Sequence, residues 1–397
     1  MQVVRPFTTT ALRLAKQPAP AAAKKYLGRP SNNLSAGLVG LANVGKSTFF
    51  QAITKSTLGN PANYPYATIE PEKSIVQVPS QKLDHYQKIH NSQKKVPTNL
   101  TVWDIAGLTR NSSSGAGLGN KFLNDIRQVD GILQIVRGFV DDEIIHIEEN
   151  KVDPVRDLVI VNDELILKDL EFIEVEMEKC TKNLKKPNQA HEAKNLEILE
   201  KLSDGLYNGV KVINGDWTDE EVDYINGLNL LTAKPTVYLL NVSKSDYISG
   251  TNQFRDKVQD WINTHSGNDK LIMFSAEYEL ASNNGEAQNK ESAIPQVIQE
   301  MRDSLHLISF YTCGDIEARQ WTIRRGSLAP DAAGLIHTDL QKTFINSIVY
   351  KWDDLAELEV FDENKLKSMG KQHRNGKKYE VEDGDVLVIK AGSGKAR

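Results

Sequence analysis

The sequence is poor in cysteine, and its net charge is small for its length. Its 397 residues include only two cysteines, Cys180 and Cys313, which are far apart and form no CxxC pair. They can build neither a disulfide framework nor a cysteine zinc site, so we interpret them as structural thiols in a reducing compartment. The formal net charge of −5 argues against nucleic-acid binding over the whole surface, so any RNA contact must be local.

Long apolar runs are also absent. No stretch approaches the roughly 18 to 20 apolar residues that a membrane-spanning helix needs, so no membrane insertion is predicted. With 40% hydrophobic and 25% charged residues, the composition is that of an ordinary soluble globular protein. The length favours about two or three domains. Oligomeric state cannot be deduced from these features.

Acidic residues are missing from the start of the chain, where the first one is Glu70. Residues 9–16 have the pattern of a cationic amphipathic helix, which Pro18 would end. This profile is typical of a mitochondrial transit peptide and predicts a location in the matrix, with a disordered extension of a cytoplasmic protein as the alternative. We therefore exclude 1–33 from the predicted fold. The basic residues in this part are Arg5, Arg13, Lys16, Lys24, Lys25 and Arg29.

From Ala36 onward, short apolar strands alternate with helical patterns. This alternation predicts an α/β fold with a mainly parallel sheet and helices on both faces. We assign the nucleotide-binding domain to 34–160 and 216–305. The clearest predicted strands are 37–39, 100–103, 132–136, 236–241 and 271–274.

A charged helical stretch interrupts this domain at 161–215. Its apolar residues alternate spacings of four and three, which predicts a coiled-coil seam, and Pro187 allows a second helix to fold back as an antiparallel hairpin. A capping box from Thr218 to Glu221 then returns the chain to the sheet. We assign 306–391 to a small separate domain and 392–397 to a tail. The seam residues are Ile166, Leu170, Ile173, Met177, Cys180 and Leu184, facing Leu196, Leu199, Leu202 and Leu206.

The strongest motif is GxxxxGK[ST], which runs from Gly40 to Ser47 between a predicted strand and a helix that begins near Thr48. Glycines let backbone N–H groups surround phosphates, Lys46 reaches the β- and γ-phosphates, and Ser47 ligates Mg²⁺. The motif therefore predicts a P-loop nucleoside triphosphatase. Its predicted nucleotide-binding residues are Asn43, Val44, Gly45, Lys46, Ser47 and Thr48.

A DxxG motif supports this interpretation, because Asp104 ends a predicted strand at the position from which a carboxylate holds Mg²⁺ through water. Gly107 can then offer its N–H to the γ-phosphate. Thr68 is placed to be the mobile threonine of a first switch, which also ligates Mg²⁺. The predicted metal ligands are therefore Ser47, Thr68 and Asp104.

Over almost its whole length the chain resembles the Obg-like ATPases, also called YchF, of the translation-factor class of P-loop proteins. The resemblance implies a Ras-like G domain with an inserted antiparallel coiled-coil hairpin and a C-terminal β-grasp domain of the TGS type. The motifs that carry it are 43–47, 63–65, 68–71, 104–108, 117–120, 144–146, 321–324, 336–339 and 382–385.

Hydrolysis needs a group that positions water, and the glutamine that follows DxxG in Ras-like switches is replaced here by Leu108. The resemblance implies His146 as the catalytic residue; the alternative is a group supplied by a partner. Asn43 is similar to an asparagine by which some related enzymes hold K⁺, although asparagine is also simply tolerated at tight turns.

The base specificity is ambiguous in this sequence. The family has NxxE and binds ATP, but here Asn241 and Val242 lead to Lys244 in place of the acid. A second register, Ser243 to Asp246, resembles a degenerate [NT]KxD and would favour GTP. We favour ATP, because the strand leads directly into Asn241. Ser275, Ala276 and Glu277 would close over the base through backbone contacts.

Three functions follow from these observations. The resemblance implies an ATPase switch that docks on the ribosome, its RNA or translation factors, with basic residues in the C-terminal domain as a candidate surface. A nucleotide-gated protein-binding module is the second possibility. A degenerate scaffold that binds nucleotide without turnover is the third. The basic residues are Arg319, Arg324, Arg325, Lys377 and Lys378.

Overall fold

The computed structural model describes residues 25–28, 32–55, 73–105, 125–141, 143–144, 151–186, 190–267, 269–286 and 290–392. Strands are numbered along the chain: β1 (Ser35–Val39), β2 (Lys73–Gln77), β3 (Lys94–Val96), β4 (Asn99–Asp104), β5 (Gly131–Arg137), β6 (Thr236–Asn241), β7 (Leu271–Phe274), β8 (Leu307–Cys313), β9 (Glu317–Arg324), β10 (Phe344–Tyr350), β11 (His373–Asn375) and β12 (Val386–Ala391).

Helices are numbered in the same way: α1 (Lys46–Lys55), α2 (Gln81–Ile89), α3 (Pro154–Asn183), α4 (Ala190–Tyr207), α5 (Asp219–Leu228), α6 (Lys244–Ser249), α7 (Arg255–His265), α8 (Ala276–Asn283), α9 (Ile294–Ser304), α10 (Ala329–Ile336), α11 (Thr338–Lys342), α12 (Trp352–Leu355) and α13 (Glu363–Ser368). Among the residues described, no helix is both long enough and apolar enough to cross a membrane.

The first sheet has the strand order β2-β4-β1-β5-β6-β7 and is parallel except for β2, which pairs antiparallel with β4. Strands β5 and β6 are buried at every position, as expected for parallel strands covered on both faces. This architecture confirms the predicted α/β P-loop fold. The predicted strands 236–241 and 271–274 have the observed bounds, and the other three are one or two residues longer at their ends.

The hairpin helices α3 and α4 pack against each other around the predicted seam. Ile166, Leu170, Ile173 and Cys180 share one buried cluster with Leu199, Leu202 and Leu206. Met177 is only partly buried and Leu184 is exposed, so the seam ends near Cys180. Helix α5 begins with the predicted capping box of Thr218 and Glu221.

The predicted boundary between residues 160 and 161 falls inside α3 and needs correction. Helix α3 begins at Pro154, capped by Asp153, and continues unbroken to Asn183. Leu158, Val161 and Leu165 pack into the core of the first sheet, whereas the hairpin cluster begins at Ile166. The first turns of the helix therefore belong to the nucleotide-binding domain and fix the hairpin to it.

The second sheet has the order β11-β10-β12-β8-β9-β3, with one central parallel pair between β12 and β8. Its edge strand β3 comes from the N-terminal half of the chain and pairs parallel with β9. Helix α2 packs on the same sheet, where Leu83 and Tyr86 share a cluster with Tyr311 and Tyr350. The predicted C-terminal domain 306–391 is therefore incomplete without 81–96. The TGS assignment stays a prediction.

Residues that we excluded as part of an N-terminal extension are partly in contact with the fold. Tyr26 stacks on His306 with ring centroids 3.9 Å apart, and its carbonyl accepts from Asn226 at 3.0 Å. Asn32 accepts from the Arg324 N–H of β9 at 3.1 Å. The predicted segment 1–33 is thus too long, because aromatic stacking and hydrogen bonds between side chains and backbone hold Tyr26 and Asn32.

Asp383 joins the two sheets. Its carboxylate accepts from Lys82 of α2 at 2.7 Å, from the Ser309 N–H of β8 at 2.8 Å, and from Arg302 of α9. Burial opposes ionisation of this carboxyl, but Arg302, Lys82 and the Ser309 N–H together hold its pKa below the usual value. One side chain therefore connects a helix of the first sheet with two elements of the second.

Candidate functional site

A cavity of about 740 Å³ lies where the carboxyl ends of β1, β5, β6 and β7 meet. This is where open parallel sheets bind ligands. The cavity is large enough for a nucleotide base and sugar. Its lining residues are Asn43, Gly45, Thr48, Phe139, Val140, Asp141, Ile144, Asn241, Val242, Ser243, Ala276, Glu277 and Leu280.

The loop between β1 and α1 has the backbone that its glycines predict. Gly45 has φ +99°, and a Cβ there would lie 2.2 Å from Asn241 Nδ2. A Cβ on Gly40 would lie 2.3 Å from the Ile135 carbonyl oxygen. Asn43 also has a left-handed φ of 62°, a conformation that asparagine tolerates better than most residues. Both glycines are thus required by close approach to neighbouring strands.

Lys46 is the first residue of α1, two residues before the predicted helix start, and its side chain is buried. Its ammonium donates to the Gly40 carbonyl at 3.1 Å and to the Leu41 carbonyl at 2.7 Å. Burial lowers the pKa of Lys46 to about 8, although nearby Asp104 favours the charged form. The ammonium is thus held over its own loop, where triphosphate oxygens would supply better partners than carbonyls.

Ser47 and Asp104 supply the described part of the predicted magnesium site. Ser47 lies in the first turn of α1, and Asp104 is the last residue of β4, in register with Leu38 of β1. A hydroxyl and a carboxylate are hard oxygen ligands, which Mg²⁺ prefers, and such sites complete the metal's coordination with water and phosphate. These residues therefore fit the metal. Thr68, predicted as the third ligand, lies outside the described residues.

Asn241 connects the phosphate loop to the loop after β7. Its side chain is 3% exposed, donates from Nδ2 to the Val44 carbonyl at 2.9 Å, and accepts from the Ala276 N–H at 3.0 Å. Asn241 ends β6, as the first of the two sequence registers requires. Both hydrogen-bonding ends of the amide are used to hold backbone groups of the site.

Asp246, the acid of the second register, is held by a neighbouring loop. Its carboxylate accepts from Asn252 Nδ2 at 2.7 Å, and the same nitrogen lies 2.8 Å from the Gly138 carbonyl. Its backbone N–H donates to the Ser243 hydroxyl, which caps α6. Asp246 is not among the described residues that line the cavity.

The loop after β7 differs in detail from the prediction. Ala276 lines the cavity, but its N–H donates to Asn241, so that group is not directed at a base. Ser275 is fully buried, and its hydroxyl caps α8 by accepting from the Tyr278 N–H. The Ala276 N–H and the Ser275 hydroxyl therefore bind neighbouring protein groups. Two other residues of the predicted site, Val242 and Thr48, line the cavity. Gly107 and His146 lie outside the described part of the chain.

The sequence analysis missed the residues that follow β5. Phe139, Val140, Asp141 and Ile144 all line the cavity. Ile144 lies in the family motif 144–146, but no motif marks Phe139, Val140 or Asp141. Their position directly after a buried parallel strand was an available signal, because residues at the carboxyl ends of such strands converge on the ligand site.

Comparisons with known proteins agree with this geometry. Residues 35–167 match the family described as 50S ribosome-binding GTPase, and residues 307–392 match the YchF-GTPase C-terminal family, which is described as of unknown function. An Obg-like ATPase homolog of Saccharomyces cerevisiae is 50% identical, covering 94% of this chain and 98% of the relative. Obg-like ATPase 1 of Schizosaccharomyces pombe is 45% identical, covering 93% and 97%.

A solved structure, that of the Schizosaccharomyces pombe YchF GTPase, is also similar to this chain. Its TM-score is 0.84 at 44% sequence identity, and the match covers 92% of this chain and all of the solved one. The similarity includes both sheets, because it extends over nearly the whole length. The names of these relatives differ on the nucleotide, since some say ATPase and others say GTPase.

Proposed function

Because this chain belongs to the Obg-like ATPase family, also called the YchF family, and is therefore a P-loop nucleotide hydrolase, we propose that its nucleotide is ATP. The observation that carries this proposal is the position of Asp246. Guanine recognition by NKxD requires a carboxylate at the base edge, and the Asp246 carboxylate is instead bonded to Asn252. The register that starts at Asn241 leaves Lys244 at the position of the acid.

GTP is the alternative, and one observation favours it. Asp141 and Glu277 line the cavity, and a carboxylate there can accept from the ring N–H and amine of guanine as well as from the amine of adenine. Base preference must therefore be measured with both nucleotides side by side.

In the proposed reaction, this chain's residues bind and orient the triphosphate. Backbone N–H groups of the phosphate loop and the start of α1 surround the phosphates, while Lys46 exchanges its carbonyl partners for β- and γ-phosphate oxygens. Ser47 and Asp104 would hold Mg²⁺, which neutralises charge on the transferred phosphoryl group. We propose His146 as the group that orients water, Gly107 as a donor to the γ-phosphate, and Asn43 as a ligand for K⁺.

We expect the purified protein to bind ATP at least about tenfold more tightly than GTP. We also expect magnesium-dependent ATP hydrolysis that is faster in K⁺ than in Na⁺, because a cation beside the phosphates can replace an arginine finger. Lys46→Ala should reduce turnover by about 100-fold or more, since it removes a transition-state contact. Titration calorimetry and phosphate release measure these quantities.

The opposite results are equally informative. Tighter binding of GTP would contradict the ATP assignment and favour Asp246 or the carboxylates that line the cavity. Binding without turnover above the Lys46→Ala blank would mean that the protein is a scaffold. Equal rates in K⁺ and Na⁺ would exclude the proposed role of Asn43.

We also propose that the protein is a switch that associates with the ribosome. Support comes from the family description that residues 35–167 match and from the hairpin fixed to the nucleotide domain. Of the basic residues, Arg319 pairs with Glu317 and Arg324 is partly buried, whereas Arg325, Lys377 and Lys378 are exposed. The exposed three form the candidate RNA contact.

Co-sedimentation with ribosomes tests this second proposal. With a non-hydrolysable ATP analogue, we expect binding that weakens steeply as salt rises, because phosphate contacts release counterions. Replacing Lys377 and Lys378 by glutamate should weaken binding and reduce the salt dependence by about two phosphate contacts. Failure to co-sediment at low salt would favour a nucleotide-gated module that binds proteins other than the ribosome.

A further inference from the structure

Arg137 is a buried charged residue whose hydrogen bonds all go to one segment of backbone. It is the last residue of β5 and only 1% exposed. Its guanidinium donates from Nε to the Phe139 carbonyl at 3.1 Å, from Nη2 to the Asp141 carbonyl at 3.0 Å, and from Nη1 to the Ile144 carbonyl at 3.0 Å. One side chain thus fixes three backbone points of 138–144, a segment described except for residue 142.

Burying a guanidinium costs free energy unless its hydrogen bonds compensate. Burial lowers the pKa of Arg137, while the nearby carboxylates of Asp141 and Asp157 favour the charged form. The planar fork can serve several carbonyls in different directions at once, which a lysine ammonium on its flexible stem cannot do with the same geometry. The residue type therefore matches the arrangement of the carbonyls.

The segment that Arg137 holds lines the nucleotide cavity. Phe139, Val140, Asp141 and Ile144 all belong to the lining. The guanidinium carbon of Arg137 lies 4.5 Å from the centroid of the Phe139 ring, so the cation also restricts the orientation of that ring. A flat aromatic side chain in a cavity is a natural contact for a planar base.

The start of the segment is fixed independently by the sheet. Arg137 is paired in register with Asn241 of β6, and the Gly138 N–H donates to the Asn241 carbonyl at 2.7 Å. Asn252 Nδ2 lies 2.8 Å from the Gly138 carbonyl. Beyond Gly138, the described hydrogen bonds from outside the segment to its carbonyls come from Arg137. The segment that lines the cavity is therefore held at its start by Asn241, the last residue of β6. The side chain of Asn241 also hydrogen-bonds to the phosphate loop.

We propose that Arg137 is a positioning residue that sets the base-contacting surface of the nucleotide cavity and thereby the preference between nucleotide bases. Arg137 is not among the described residues that line the cavity, and it acts through the backbone at Phe139, Asp141 and Ile144. The inference rests on the proposed function, in which this cavity receives the base of the bound nucleotide.

The test compares Arg137→Gln and Arg137→Lys with Arg302→Gln in the full-length protein. Arg302 is also a buried arginine, but it contacts Asp383 and not the cavity. We expect both Arg137 variants to raise the Kd of the preferred nucleotide by about tenfold, since hydrogen bonds that order the segment are lost. The ratio of ATP to GTP affinity should move toward one. Arg302→Gln should lower the melting temperature and leave Kd and the ratio within about twofold.

Chemical rescue separates positioning from loss of folding. In Arg137→Ala, millimolar guanidinium should restore part of the nucleotide affinity, whereas methylammonium should not, because only the planar ion can serve several carbonyls. Affinity and base preference of Arg137→Gln within about twofold of the wild type would overturn the proposal, and so would equal effects of Arg302→Gln. A wild-type preference for GTP would contradict only the ATP assignment, because each variant is compared with the wild type on the nucleotide it binds best.

Discussion

Replacing Asn241 by alanine should raise the Kd of the bound nucleotide by about 100-fold and also destabilise the apoprotein. The change leaves the Val44 carbonyl and the Ala276 N–H buried without their partner, and each such group costs about 1 to 3 kcal/mol. Because these groups lie in the phosphate loop and in the loop after β7, both loops should shift. Titration calorimetry and thermal melting of the apoprotein measure the two effects.

Two further variants define the role of the amide. Asn241→Asp keeps the acceptor for the Ala276 N–H but cannot donate to the Val44 carbonyl, so it should lose affinity almost as strongly. Asn346→Ala removes a similarly buried asparagine from β10 in the second sheet and should lower stability without changing the Kd. Nucleotide affinity of Asn241→Ala within about threefold of the wild type would show that the amide does not hold the site together.

Asp383→Asn should destabilise the protein by about 2 kcal/mol at pH 7, because it leaves the buried Arg302 guanidinium without its counter-charge. The folded-state pKa of Asp383 lies below its unfolded value. Its contribution to stability is therefore complete above the unfolded pKa and is lost as the pH falls through the folded pKa. The difference between wild type and variant should shrink below about pH 4. Urea unfolding at several pH values measures it.

A matched control uses Asp353, an exposed aspartate of the same sheet region. Asp353→Asn should change the free energy of unfolding by less than about 0.5 kcal/mol. If Asp383→Asn behaves like this control, the connection between the sheets depends on apolar packing of α2 and not on the carboxylate.

Local sequence signals were sufficient for the five parallel strands of the first sheet and for the phosphate loop, but not for the antiparallel edge strand β2. Buried parallel strands are mostly continuous apolar runs, so the strands 236–241 and 271–274 could be predicted directly from the sequence. The glycines of the P-loop are required by contacts that the motif implies, as Gly45 shows against Asn241. The assignment of Asn241 to a strand end followed from the strand itself.

Long-range contacts could not be predicted in the same way. Nothing local in Lys94–Val96 indicates a partner strand that begins at Glu317, and the alternation of this short strand is weak. Arg137 and Phe139 carry no motif, because their importance comes from the meeting of strand ends in space. The contacts of Tyr26 with His306 were hidden for the same reason, since an N-terminal basic composition says nothing about tertiary packing.

The pairing of β3 with β9 also constrains how the polypeptide acquires its structure. On the ribosome that makes this chain, Lys94 emerges long before Glu317, its register partner 223 residues later (317 − 94). Until then, α2 lacks the residues after 307 that complete the hydrophobic cluster of Leu83, Tyr86 and Ile89. Contacts of such high sequence separation form slowly and leave apolar surface open to aggregation. Synthesis halted before residue 307 should therefore yield a species that needs chaperone protection, even though its nucleotide pocket is already complete in sequence.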